Sequence, residues 1–128
     1  MKHLSRVMVL DDDPDSAQFV ADAAEAMGSR CVATTDPMRF LELLTQDTTL
    51  IFLDIVMPHV DGVEILRTLG QRQCKASIIL MSGADYRIME AVEEIATALG
   101  LSVAGHLQKP VRLKALEAMI EACRDIRI

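Results

Sequence analysis

Five short apolar runs, each followed by an amphipathic stretch and most joined by Asp, Pro or Gly, constrain this chain more than any other feature. The first run, Arg6-Val7-Met8-Val9-Leu10, is apolar on both faces from Val7 onward, as a parallel strand covered on both sides must be. Asp13 followed by Pro14 reads as a helix N-cap and a first-turn proline. Phe19, Val20, Ala23, Ala24 and Met27 then recur at helical spacing, and Gly28 supplies a C-terminal stop. Cys31-Val32-Ala33-Thr34 predicts a second strand, and Asp36-Pro37 opens a short helix bearing Phe40, Leu41 and Leu44. Leu50-Ile51-Phe52-Leu53 predicts a third strand, followed by a helix from Asp61 to Leu69 that Gly70 closes. Ser77 to Met81 predicts the fourth strand. Asp85 caps the next helix, with Ile88, Val92, Ile95 and Leu99 on one face and Gly100 at its end. Ser102 to Leu107 is a weaker fifth strand, and Leu113, Leu116, Ile120 and Cys123 mark a fifth helix. Five β–α units in a row predict an α/β protein with a doubly wound, five-stranded parallel sheet, right-handed crossovers and helices on both faces.

A length of 128 residues suits one domain covering 1–128, with no linker, tight repeat or low-complexity tail inside it. Hydrophobic residues at 51% and charged residues at 25% exclude a disordered chain or a coiled coil. Nineteen acids against thirteen bases give a net charge of −6, and the bases are scattered from Lys2 to Arg127. Nucleic acid and anionic membrane are therefore excluded as partners of this chain, since both demand clustered bases. Aromatic residues at 3%, with no Trp, remove stacking platforms as well. Apolar runs as short as Leu50 to Leu53 exclude a membrane span or a signal peptide. Cys31, Cys74 and Cys123 are odd in number and lie far apart, which predicts reduced thiols in a cytoplasmic protein, two of them core filler.

In open α/β sheets, function gathers beyond the carboxyl ends of the strands. There the chain places Asp11-Asp12-Asp13 after the first strand, Asp54 after the third, Ser82 after the fourth and Lys109-Pro110 after the fifth. Carboxylates converging on one edge repel unless a cation intervenes, and an all-oxygen set suits magnesium, which keeps its waters and accepts a phosphate oxygen. A lone Asp inside such a cluster is competent as a nucleophile toward phosphorus, forming an aspartyl phosphate. Lys109 and Ser82 would supply charge neutralisation and a donor. Taken singly, each residue also has a plainer reading: Asp13 as a cap, Ser82 as a turn residue, Lys109 as a solvated lysine.

Taken together, these residues resemble the response-regulator receiver domains of two-component signalling. The matches are Val7-Met8-Val9-Leu10-Asp11-Asp12-Asp13-Pro14; Leu53-Asp54-Ile55-Val56-Met57-Pro58-His59-Val60-Asp61-Gly62; Ile79-Leu80-Met81-Ser82-Gly83-Ala84; and Leu107-Gln108-Lys109-Pro110. They run in the family's order along almost the whole chain. The resemblance implies a flavodoxin-like fold with strand order 2-1-3-4-5 and a cis bond before Pro110. It implies phosphorylation of Asp54, Mg²⁺ held by Asp11, Asp12, Asp54 and the Val56 backbone carbonyl, and Ser82 and Lys109 drawn onto the phosphoryl oxygens. It also implies a sensor histidine kinase or phosphotransfer protein as donor and a downstream effector domain or protein as reader. Such a receiver is no enzyme beyond its own phosphorylation and dephosphorylation. Its switching surface is the fourth helix, fifth strand and fifth helix, and a homodimer through that face stays open. Whether the chain stands alone or belongs to a longer regulator also stays open.

Three departures bear on mechanism. Where the family has Tyr or Phe as a second switch residue, this chain has His106, whose ring is smaller and titratable. Val56 and Ala84, two residues beyond Asp54 and Ser82, cannot orient a water, which predicts slow loss of the phosphoryl group. Gly83 leaves the pocket open to a phosphodonor. His3 and His59 are assigned to the surface. Two other functions compete with the switch. One is a degenerate receiver acting only as a docking module. The other is a phosphohydrolase resembling the haloacid dehalogenases, with Asp11 as nucleophile and Asp13 as general acid.

Overall fold

The computed structural model describes residues 6–57, 60–83 and 85–126, with backbone alone for Val60, Asp61 and residues 124–126. The chain runs β1 (Arg6–Leu10), α1 (Pro14–Ala26), β2 (Arg30–Thr34), α2 (Pro37–Leu43), β3 (Thr48–Asp54), β4 (Val56–Met57), β5 (Val60–Asp61), α3 (Gly62–Gln71), β6 (Ser77–Ser82), α4 (Tyr86–Ala98), β7 (Ser102–Gln108) and α5 (Leu113–Ile126). A five-stranded sheet has the order β2-β1-β3-β6-β7, every neighbouring pair parallel. With the two-residue strands β4 and β5 set aside, this is the expected 2-1-3-4-5 order. The fold is the flavodoxin-like α/β architecture.

Alternation along the strands divides the core in two. Met8, Leu10, Ile51, Leu53, Ile78 and Leu80 face α2, α3 and α4, where they pack on Phe40, Leu66, Leu69, Met89 and Ala96. Val7, Val9, Phe52, Ile79 and Met81 face the other way, onto Val20 and Ala24 of α1 and Leu116 and Ile120 of α5. Each large aliphatic side chain fully buried in these layers contributes roughly 2 kcal/mol of transfer free energy. Cys123 is buried in the second layer, and Cys31 and Cys74 are half-buried; all three are free thiols. Burial pushes the Cys31 thiol up to about 12, which makes it inert filler.

The helix starts follow the sequence closely. Asp13, Asp36 and Asp85 each accept a hydrogen bond from the backbone N–H two residues on, at Asp15, Met38 and Arg87. Gly28 and Gly100 take positive φ just past α1 and α4, as helix stops do.

Four features differ from the sequence expectation. First, Gly70 does not end α3, which continues to Gln71. The left-handed residue is Gln73 (φ 56°), and the Gln73 and Cys74 N–H groups donate to the Gly70 and Leu69 carbonyls. Gly70 is instead a point of close approach, because a Cβ there would lie 3.0 Å from the Leu99 carbonyl oxygen. Second, α3 starts at Gly62; Asp61 belongs to a small antiparallel pair in which it lies opposite Val56. Third, the buried stripe of α4 is Met89, Val92 and Ala96, whereas Ile88 and Ile95 are exposed. Fourth, β7 carries a register shift: Ile78 pairs with Val103 but Ile79 with Gly105. The extra residue, Ala104, turns Gly105 beneath Met119 on the α5 side and His106 toward α4.

Candidate functional site

Four strands and their exits deliver the site. Asp11 follows β1 directly and is completely buried. Its Oδ1 accepts from the Asp13 N–H at 2.9 Å and from the Lys109 ammonium at 3.0 Å. Asp54 ends β3 with 1% of its surface exposed. Its Oδ1 accepts from the Val56 N–H at 3.0 Å and its Oδ2 from Lys109 Nζ at 3.1 Å. Asp12 is exposed and closes the group: one carboxylate oxygen from each of Asp11, Asp12 and Asp54 lies within 4.8 Å of the others. Ser82, fully buried at the end of β6, accepts the Lys109 backbone N–H at its carbonyl (2.9 Å), which ties the last strand to the site. The Lys109–Pro110 peptide bond is cis.

Electrostatics follow from this crowding. Burial, reinforced by Asp12 and Asp11, pushes the Asp54 carboxyl up to about 7, although Val56 and Lys109 pull it back. For Lys109, burial opposes the charge, but the hydrogen bonds to Asp11 and Asp54 outweigh it and hold the ammonium above its ordinary value. One cation thus serves two buried carboxylates. Asp11 Oδ2 lies 2.9 Å from the ammonium but accepts no hydrogen bond, so this buried oxygen keeps a lone pair free for another partner. Three carboxylates, one of them solvent-facing and one with a spare buried oxygen, fit a hard divalent cation entering from solvent.

Gly62 closes the Asp54 string matched in the sequence, and the structure supplies the reason for it. A Cβ there would lie 2.8 Å from the Ile55 Cα and 2.9 Å from its carbonyl oxygen, both backbone atoms. Only glycine lets α3 start against the residue that follows Asp54. Gly62→Ala is therefore expected to displace the Ile55–Val56 backbone, loosen the Val56 N–H bond to Asp54 and cost about 1–3 kcal/mol in urea unfolding. A loss below about 0.5 kcal/mol would show that the loop yields freely.

The structure brings Asp11, Asp12, Asp54 and Lys109 together, with Ser82 at the adjoining strand end. Val56 is exposed and contributes its N–H to Asp54. Asp13 stands apart: its carboxylate accepts from the Asp15 N–H and the Ser16 hydroxyl, and the Asp15 bond holds it below the usual carboxylate range. His106 lies against Tyr86 and Glu93 rather than among the carboxylates. His3, His59 and Ala84 fall outside the described residues.

A family model described as the response regulator receiver domain matches residues 7–121. The chain belongs to that family. Receivers are signalling domains of two-component response regulators, which bind Mg²⁺ at an acidic site and work with histidine kinases and downstream effectors. Among curated relatives, this receiver is 31% identical over 119 residues to the nisin biosynthesis regulatory protein NisR of Lactococcus lactis, covering 91% of this chain and 49% of NisR. It is 26% identical over 121 residues to the transcriptional regulatory protein CpxR of Escherichia coli, covering 93% and 49%. The chain thus spans about half the length of these two relatives. Among solved structures, a response regulator from Colwellia psychrerythraea superposes with a TM-score of 0.86 at 30% identity, covering 98% of this chain and all of that one. The Francisella response regulator 1452 receiver domain shares the fold, with a TM-score of 0.82 at 23% identity over 97% of this chain and 99% of that one. No helix among the described residues is long and apolar enough to cross a membrane.

Proposed function

We propose that residues 1–128 form one cytoplasmic receiver that accepts a phosphoryl group on Asp54 from a phosphohistidine and thereby switches a protein-interaction surface. The observation that carries this reading is the single Lys109 ammonium shared by the buried Asp11 and Asp54 carboxylates beside exposed Asp12. In the transfer, an Asp54 carboxylate oxygen forms the new P–O bond while the donor's P–N bond breaks and its electron pair leaves with the imidazole. Lys109 opposes the burial that raises the Asp54 carboxyl, favouring its ionised form before the transfer, and pairs with the phosphoryl oxygens after it. The Ser82 hydroxyl, one strand away, is the donor that moves onto those oxygens. Gly83 leaves room for the incoming group, since a Cβ at that position would meet nothing within 4 Å. Asp11, Asp12, Asp54 and the Val56 carbonyl would hold Mg²⁺, which supplies charge neutralisation for the phosphoryl group when bound.

Recruiting Ser82 and Lys109 biases the surface of α4, β7 and α5, the face proposed for an effector or a second receiver. Moving such a surface from almost wholly one state to the other needs about 5.5 kcal/mol, within reach of several charge-assisted contacts. The hydrolase alternative fits poorly. Its general acid would be Asp13, whose carboxylate is committed to capping α1 and holds its proton weakly.

Intact mass after incubation with acetyl phosphate tests the reading. A single phosphoryl adduct that requires Mg²⁺ and is absent from Asp54→Asn is the expected result. An unmodified, folded wild type would leave a docking module. Phosphate release that survives Asp54→Asn but not Asp11→Asn would point to the hydrolase.

A further inference from the structure

Away from the carboxylates, β7 and α4 meet through a second set of titratable side chains. His106 Nε2 lies 3.9 Å from Glu93 Oε1, and its ring meets Tyr86 in a T-shaped arrangement, centroids 5.5 Å apart and planes at 71°. His106 is about a quarter exposed and Glu93 somewhat more, so both are reachable by solvent protons. The register shift at Ala104 is what aims His106 at α4. From α4 the groups around it are Tyr86, Glu90, Glu93 and Glu94, which with His106 line a basin of about 580 Å³ that no Lys or Arg lines among the described residues. From β6 its register partner is Leu80, which carries no charge. The α5 helix packs on the opposite side of the sheet, where Met119 covers Gly105.

A neutral imidazole at this distance makes only a weak dipolar contact with a carboxylate. A protonated one forms an ion pair with Glu93 beside the Tyr86 ring. We infer that His106 is a proton-operated latch: protonated, it fastens α4 to β7 through Glu93 and Tyr86, and neutral, it releases them. The clasp is therefore present at low pH and lost as pH rises. Its position gives it leverage, because Tyr86 opens the helix that follows Ser82 and His106 lies in the strand that delivers Lys109. A fastened latch opposes any shift of α4 against β7 when the site is loaded. That coupling rests on the phosphoacceptor reading; the latch itself does not.

The chain has one Tyr and no Trp, so its intrinsic tyrosine emission reports on Tyr86 alone. Titrating the unphosphorylated protein between about pH 5 and 8 should show a one-proton change in that emission. His106→Phe should abolish it. Glu93→Gln, a surface change that leaves the fold intact, should cut its amplitude by at least half. A flat wild-type curve, or a transition that survives His106→Phe, overturns the latch. The titration is then repeated on protein whose phosphoryl adduct has been verified by mass. A displaced or diminished transition supports the coupling, and an unchanged one overturns the coupling while the latch stands. If no adduct forms, the phosphoacceptor reading fails and the first titration still decides the latch.

Discussion

Lys109→Met is expected to destabilise the protein by about 3 kcal/mol at pH 8 in urea unfolding without divalent cations, and by much less at pH 5. Methionine keeps most of the aliphatic volume but leaves the Asp11 and Asp54 carboxylates buried with no cation. Removing one partner of a buried pair costs more than the pair contributes, because the stranded charge stays desolvated. The pH dependence follows from Asp54. Its carboxyl titrates at about 7 in the folded protein, against 3.8 ordinarily, so its favourable contribution is complete below the lower value and lost as pH rises through the upper one. At pH 5 Asp54 already carries a proton, and the site without Lys109 has one fewer stranded charge. Equal losses at the two pH values would show that the lysine acts through packing alone.

Asp54→Asn is expected to do the opposite: to raise stability by about 1–3 kcal/mol at pH 8, with the gain fading as pH falls toward 4. Asparagine keeps the shape and its one amide oxygen can still accept from the Val56 N–H; the amide nitrogen replaces the oxygen that met Lys109, and a charge that burial disfavours is removed. Lys109 retains Asp11. The same substitution should remove the phosphoryl adduct completely, so the most stable variant would be the inactive one. In the double variant with Lys109→Met, much of the loss caused by methionine should be recovered, since only Asp11 is then left without a cation. A destabilised Asp54→Asn in both thermal and urea unfolding would overturn this account of the charge balance.

How much of this was legible in the sequence depended on whether the cause was local. Strands β1, β3 and β6 announce themselves because they are apolar at consecutive positions, and Asp13, Asp36 and Asp85 announce helix starts because a cap is a contact across two residues. The carboxylate site was legible for a related reason: strand ends fall together in a parallel sheet, so reading the residue after each strand assembles Asp11, Asp54, Ser82 and Lys109 without knowing any distance. What escaped was set by neighbours distant in the chain. Gly70 looks like a helix stop until Leu99 is seen against it, and Gln73 carries no mark of the left-handed conformation it adopts. The stripe Ile88, Val92, Ile95 and Leu99 is a good helical pattern, yet α4 rolls so that Met89 and Ala96 lie inward and both isoleucines face solvent. Nothing near Ala104 signals the register shift that decides which helix His106 meets.

The two-layered interior has a consequence for how such a chain can vary. One set of strand side chains supports α2, α3 and α4, the alternate set supports α1 and α5, and the backbone between them is shared. A substitution that reshapes one interior is answered by helices on its own side and reaches the other only by moving a strand. The two interiors are therefore free to be repacked at separate tempos, while the strands that serve both hold the chemistry at their ends in place and the α4–β7–α5 face draws one helix from each.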